Sequence, residues 1–240
     1  ALEVFDFVQS LLTLPRRGEH SSRVSRQRAQ FTLRFQQYTA PVMAKGMEDT
    51  TFYVYNRLVS LNDVGFDPRS FGISINAFHH ENRQRLADWP HAMVTTSTHD
   101  SKRGEDVRAR LNVLSELPRE WQQHLARWNR VNRNKKRLVG EARSPSRNDE
   151  YLLYQTLLGS WPLEPLDPRG LAAFRERIEA YMIKAIREAK VHTSWINRNQ
   201  DYEEARRHFV RALLDDPDRN PFLADFLPFQ QRIAGFGLLN

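Results

Sequence analysis

Cysteine is absent from the 240 residues, which excludes a disulfide framework and any thiolate metal site. No apolar stretch is long enough to span a membrane. The opening residues Ala1-Leu2-Glu3-Val4-Phe5-Asp6 lack the basic start and unbroken apolar core of a signal peptide. These absences suit a cytoplasmic protein with no membrane partner. No glycine loop of the phosphate-cradling type occurs, so no cofactor is expected. His79-His80-Glu81 lacks the helical spacing of a metalloprotease site; it reads as surface, and no metal is expected. Strand signals are scarce. Ala92 to Ser97 is the best, Ala40-Pro41-Val42-Met43-Ala44 is weaker, and Phe71 to Ile75 reads as a strand or a loop.

What is present is a helical period. Phe5, Val8 and Leu12 form a first stripe, ended by Pro15 and Gly18. Val24, Phe31, Phe35 and Tyr38 form a second. Val107, Leu111 and Leu114 form a third, stopped by Pro118. Pro118 suits the first turn of the next helix, whose buried face would be Trp121, Leu125 and Trp128. Ser144-Pro145-Ser146 reads as a loop, and Tyr151 to Leu158 as a short apolar helix closed by Gly159 and Pro162. Asp167-Pro168 and Asn220-Pro221 are helix starts, a side-chain acceptor followed by a proline that needs no donor. After the first, Leu171, Phe174, Ile178, Tyr181 and Ala185 share a face. After the second come Phe222, Phe226, Phe229, Ile233 and Phe236, with Pro228 expected to kink the helix.

The net charge is +7, and much of the basic excess lies between Arg119 and Arg147, around Arg127, Arg130, Arg133, Lys135, Lys136 and Arg137. Such a run either contacts nucleic acid or is the solvated face of a helix with a polar loop after it. No nucleic-acid motif accompanies it, so the solvated face is expected and nucleic acid is not. A helical nucleic-acid module and a purely structural insertion stand as the alternative readings.

The run from Met93 to Leu111 carries the chemistry. An apolar start leads into Thr95-Thr96-Ser97-Thr98-His99-Asp100, then Ser101-Lys102-Arg103-Gly104-Glu105-Asp106 and a charged helix. A strand that delivers a His-Asp pair to a loop is how a barrel enzyme presents a carboxylate. Two or three strands among so many helices, however, do not make a barrel.

The spelling of several segments resolves this. Thr39 to Thr50 (TAPVMAKGMEDT) leads into Phe52-Tyr53 and Tyr55-Asn56-Arg57-Leu58. Thr98-His99-Asp100 is followed by Lys102-Arg103 and Glu105 to Arg110. Tyr151 to Gly159 precedes Trp161-Pro162. Lys184-Ala185 and Arg187 to Lys190 precede Thr193-Ser194-Trp195. Together, in this order, they resemble maltooligosyl trehalose synthase, of the α-amylase superfamily. Ser101 and Gly104 stand where threonine and serine are expected. The resemblance implies a mainly α, bundle-like portion with one to three short strands, cut from a (β/α)8 barrel with helical insertions. It implies a division into 1–111, a barrel-derived portion with helices and two short strands; 112–218, a helical insertion domain; and 219–240, a helix ahead of the last barrel strand.

The family's reaction is an intramolecular transglucosylation on maltooligosaccharides, turning the reducing-end α-1,4 bond into an α,α-1,1 bond. The resemblance makes Asp100 the carboxylate that holds sugar hydroxyls in the transition state, with His99 donating to the same sugar. Without the resemblance, both would simply cap the following helix. Lys45, Lys102 and Arg103 are candidates for substrate binding; as alternatives, Lys45 braces an ion-pair network and the other two pair with Glu105 or Asp106. Tyr53, Trp161 and Trp195 either stack on sugars or pack inside. No Gly-x-Arg-x-Asp pattern for the nucleophile occurs, so nucleophile and general acid are expected upstream of Ala1 and the chain alone is expected to be inactive. Apolar surface left without a partner should drive self-association.

Overall fold

Helix-start signals become helix starts. The computed structural model describes residues 2–13, 23–217 and 219–240. In chain order they form α1 (Leu2–Leu12), α2 (Arg23–Met43), α3 (Phe52–Val54), α4 (Ile75–Asp88), α5 (Glu105–Asn112) and α6 (Pro118–Val131). A two-stranded antiparallel hairpin follows, β1 (Arg137–Val139) and β2 (Ala142–Ser144). Then come α7 (Arg147–Ser160), α8 (Pro168–Ala189), α9 (Gln200–Leu213) and α10 (Pro221–Leu239). The architecture is mainly helical with two short strands, as expected.

Asp167 Oδ1 accepts from the Gly170 N–H at 2.6 Å and opens α8. Asn220 Oδ1 accepts from the Phe222 N–H at 3.1 Å and opens α10. Its amide also donates to Leu213 O and Asp215 O at 2.9 and 2.7 Å, tying the end of α9 to the start of α10. Ser146 caps α7 and Asn199 caps α9 in the same way. Helix α9 carries no proline signal and was not among the helices read from the sequence; α10 runs through Pro228 to Leu239.

The contacts divide the chain into two units, Ala1–Asp49 and Thr50–Asn240. In the first, α1 and α2 are joined by Thr32 Oγ1, which donates to Leu11 O at 2.6 Å, and by Arg28, which donates to Ser10 Oγ at 3.0 Å. Phe5, Phe7, Phe31, Leu33 and Tyr38 remain exposed. Pro15 and Gly18, read as the stop of the first helix, lie outside the described residues.

The second unit has a core centred on Trp128. Its ring lies 5.2 Å from Tyr154, 5.4 Å from Phe222 and 5.6 Å from both Trp121 and Phe226. Its indole N–H donates to Asp225 Oδ2 at 2.7 Å, so burying this large side chain leaves no orphaned donor. α10 lies close against α5. A Cβ on Gly237 would sit 2.6 Å from Arg110 Cγ and 2.9 Å from Arg110 Cα, and Arg110 in turn donates to Gly159 O and Trp161 O.

Two local expectations are corrected, and at a third the loop alternative holds. Residues 92–97 are irregular, and Met93 is 100% exposed. A strand persists only beside a neighbour that accepts and donates its ladder hydrogen bonds, and none pairs with this segment among the described residues. Residues 40–44 complete α2 and enter a π-helical stretch, Ala44–Thr51. Pro41 cannot donate to a ladder, and its missing N–H also disturbs the regular helical bonding there. Residues 71–74 are irregular, and α4 starts at Ile75 with Ser74 as its cap.

The basic run is not a plain solvated helix either. Arg127, Arg130, Arg133 and Arg137 are exposed, but Lys136, just ahead of the hairpin, is nearly buried and pairs with Glu150 at 2.5 Å, while Arg127 pairs with Asp225 on α10. Burial of Lys135 pulls its ammonium below the usual lysine range. Among the described residues no helix is long and apolar enough to cross a membrane.

Candidate active-site loop

A four-residue turn presents the His-Asp pair. The Ser101 N–H donates to Thr98 O at 3.2 Å, closing the turn. The side chains reinforce it: the Thr98 N–H donates to Ser101 Oγ at 2.9 Å, and the Asp100 N–H donates to Thr98 Oγ1 at 3.3 Å. Short hydroxyl side chains that bond their own backbone favour turns. His99 and Asp100 occupy its two central positions, and both are exposed. Gly104, not Asp100, is the residue that precedes α5 as its cap, so the capping alternative for Asp100 does not hold.

Both flanks of the turn are fixed. Ser97 Oγ donates to Glu105 Oε2, and that hydrogen bond holds the Glu105 carboxyl below its ordinary range. Asp63 Oδ1 accepts from the Lys102 N–H at 3.2 Å, and its Oδ2 accepts from Arg108 Nη1 at 2.6 Å. Arg108 also donates to Thr96 O. One carboxylate and one guanidinium therefore clamp the chain before and after His99-Asp100. Asp63 is placed by the preceding segment, where Asn62 Nδ2 donates to Phe52 O at 2.9 Å and Tyr55 O at 2.7 Å. The clamp is a long-range feature. Nothing in the spelling around Asp63 marks it.

Arg103 faces inward. Its guanidinium donates to Val59 O at 3.1 Å and to the Tyr181 hydroxyl on α8 at 3.0 Å. It forms neither of the pairs with Glu105 and Asp106 weighed from the sequence. Lys102 and Arg103 both line a cavity of about 250 Å³ walled by Val107, Thr156, Phe174 and Tyr181. Lys45 lies in the first unit, where Nζ pairs with Asp49 one helical turn on, at 2.5 Å. Of the five candidates, His99, Asp100, Lys102 and Arg103 thus belong to one braced segment. Tyr53 and Trp161 are buried, whereas Trp195 is half exposed.

An exposed carboxylate with an imidazole beside it, on a turn that cannot easily drift, can accept from and donate to neighbouring hydroxyls of one sugar ring. No group of three or more His, Asp or Glu side chains suited to a metal ion occurs among the described residues.

No protein-family model matches the sequence. The chain is 41% identical, over 185 residues, to a putative maltooligosyl trehalose synthase of Mycobacterium tuberculosis (strain ATCC 25618 / H37Rv); the match covers 77% of this chain and 22% of that protein. The fold superposes on the crystal structure of a hypothetical maltooligosyl trehalose synthase from Sulfolobus tokodaii with a TM-score of 0.74, at 33% identity, over 97% of this chain and 33% of that one. It also superposes on the maltooligosyltrehalose synthase from Arthrobacter ramosus with a TM-score of 0.69, at 38% identity, over 85% of this chain and 24% of that one. The chain thus spans about a fifth of the length of the curated relatives it matches. By sequence and by architecture it belongs to the maltooligosyl trehalose synthase family, as the homologue of one stretch of those enzymes.

Proposed function

We propose that this chain supplies the substrate-orienting carboxylate of an intramolecular transglucosylase acting on maltooligosaccharides. The observation that carries the reading is the exposed His99-Asp100 turn, clamped on both flanks by Asp63 and Arg108. In the reaction, the reducing-end α-1,4 bond breaks, a general acid protonates the departing O4, and a carboxylate nucleophile holds the rest of the glucan. The released glucose then turns, and its anomeric hydroxyl displaces the nucleophile to give the α,α-1,1 bond. Asp100 accepts hydrogen bonds from hydroxyls of the ring that becomes oxocarbenium-like, and those bonds strengthen as positive charge develops. His99 donates to a hydroxyl of the same ring.

Lys102 and Arg103 border the cavity beside this turn, Arg103 as a strut whose guanidinium also fixes the wall. Lys45, in the first unit, is proposed separately as a substrate-binding residue on its residue type alone. Nucleophile and general acid come from polypeptide outside these residues, since no segment here spells them. The division into a barrel-derived portion (1–111), a helical insertion (112–218) and a closing helix (219–240) goes with this reading, as does a cytoplasmic setting.

The test uses the complete enzyme that carries this segment, incubated with maltopentaose. Asp100→Asn should remove formation of the non-reducing product, by about a hundredfold or more if one transition-state contact set is lost. Near-normal turnover would take Asp100 out of the mechanism. The 240 residues alone should form no such product.

A further inference from the structure

Of the five tryptophans, Trp121, Trp128 and Trp161 are buried, while Trp89 is 73% and Trp195 51% exposed. The two exposed rings are held very differently. The Trp89 indole at the end of α4 makes no hydrogen bond or ring contact among the described residues. The Trp195 indole is fixed. Its N–H donates to Glu188 Oε1 at 3.0 Å, and the Arg187 guanidinium lies over one ring face, 4.8 Å from the centroid.

That guanidinium cannot swing away, because it is held by both oxygens of Glu203, at 2.8 and 2.6 Å. Glu203 also accepts from Thr193 and Arg198, each at 3.0 Å. The loop closes on itself through the Ser194 N–H to Asn197 O at 2.9 Å and the Asn197 N–H to Ser194 Oγ at 2.8 Å. A large apolar ring is therefore held in place at the surface before any ligand arrives. Immobilising such a side chain is a main cost of recognition, and here it has already been met.

Its position links it to the proposed site. Tyr181, which holds Arg103 beside the His99-Asp100 turn, and Glu188, which holds Trp195, are seven residues apart on α8. They share one helix face about 10 Å apart along the axis, with exposed Lys184 between them on that face. A half-exposed indole, covered on one face by a guanidinium and edged by a carboxylate, matches a pyranose. The sugar's C–H face packs on the ring, and its equatorial hydroxyls meet the charged rim. The apolar surface on offer is one indole and the neighbouring Ile196, roughly 200–300 Å². A stable protein partner needs about 800 Å² per side.

We propose that Trp195, braced by Glu188 and Arg187, is a docking platform for the glucose units of an α-1,4-glucan distant from the bond being rearranged. The proposal rests on the maltooligosaccharide reading above.

The test is titration of this chain with maltoheptaose, following the five indole N–H signals by NMR. A saturable shift at the Trp195 signal is expected, absent with a β-1,4-linked oligosaccharide of the same length and retained in Trp89→Ala. Trp195→Ala should weaken binding about tenfold or more, with Trp195→Phe in between. Far-UV dichroism and the melting midpoint check that each variant folds. In the complete enzyme, Trp195→Ala should raise KM for maltoheptaose while sparing kcat, whereas Asp100→Asn lowers kcat at every chain length. No shift at the Trp195 signal with maltoheptaose at tens of millimolar, or equal binding by Trp195→Ala, overturns the platform and leaves the role of Asp100 standing. A normal kcat in Asp100→Asn removes that role and leaves the platform standing.

Discussion

Asp63 and Arg108 form a largely buried ion pair, 2.6 Å between Oδ2 and Nη1, and each uses its second polar edge on the backbone of the His99-Asp100 segment. Asp63 receives the Lys102 N–H, and Arg108 donates to Thr96 O. Removing the carboxylate leaves a largely buried guanidinium without its counter-ion and takes away the acceptor of the Lys102 N–H. Asp63→Ala should therefore cost about 2–4 kcal/mol in denaturant unfolding. It should also speed amide exchange across residues 97–103 more than across α7. Asp63→Asn, which keeps an acceptor for Lys102 N–H, should lose less.

Gly237 permits the close approach of α10 to α5. Its missing Cβ would lie within 2.9 Å of the Arg110 backbone, which cannot step aside as a flexible side chain can. Gly237→Ala should destabilise the second unit by about 1–3 kcal/mol. Gly235→Ala, with no heavy atom within 4 Å of its Cβ position, should be neutral or slightly stabilising, since alanine favours helix. Melting midpoints of the two variants compare them directly.

Glu203 sets an acid limit. The hydrogen bond from Arg187, then those from Arg198 and Thr193, pull its carboxyl down to about 2 from 4.5, against the opposing effect of burial. A depressed carboxyl contributes stability that is fully present above its unfolded pKa and is lost as pH falls through the folded one. The contribution should thus be complete above pH 4.5 and disappear progressively toward about pH 2. Glu203→Gln should flatten that part of the stability–pH curve while lowering stability at neutral pH. Because the same carboxylate fixes Arg187 under Trp195, the indole fluorescence should change over the same acid range.

Phe5, Phe7, Phe31, Leu33 and Tyr38 are exposed on α1 and α2. Apolar surface of this extent drives association. Light scattering of the isolated chain should show a mass that rises with concentration. Phe5→Ser combined with Phe31→Ser should reduce it. A clean monomer at all concentrations would contradict this expectation.

Much of the fold was legible because helix signals are local. An Asp-Pro or Asn-Pro step and a 3.6-residue apolar period act within a turn or two. α6, α8 and α10 accordingly start at their prolines, with Trp121 and Trp128 inside, whereas α7 starts at Arg147, one turn ahead of the expected Tyr151, and Phe236 of α10 is exposed. Strands were misplaced because a strand is a relation between two segments. The β-branched run at 92–97 has no partner among the described residues, whereas Arg137–Val139, hidden in a basic stretch, pairs across a tight turn with Ala142–Ser144. The His-Asp pair and the family were carried by spelling, since residue identity alone names a chemistry.

The sequence by itself determined which groups are available and where most helices begin, because those choices are made within a few bonds. The tertiary structure decided how they are held. Asp63 reaches Arg108 across 45 residues, and Arg103 is bound to Tyr181 across 78. Of Tyr53, Trp161 and Trp195, each open as a sugar platform or a core residue, packing buried Tyr53 and Trp161 and left Trp195 braced at the surface. Those outcomes depend on which distant side chains converge, and no local period or motif encodes that convergence.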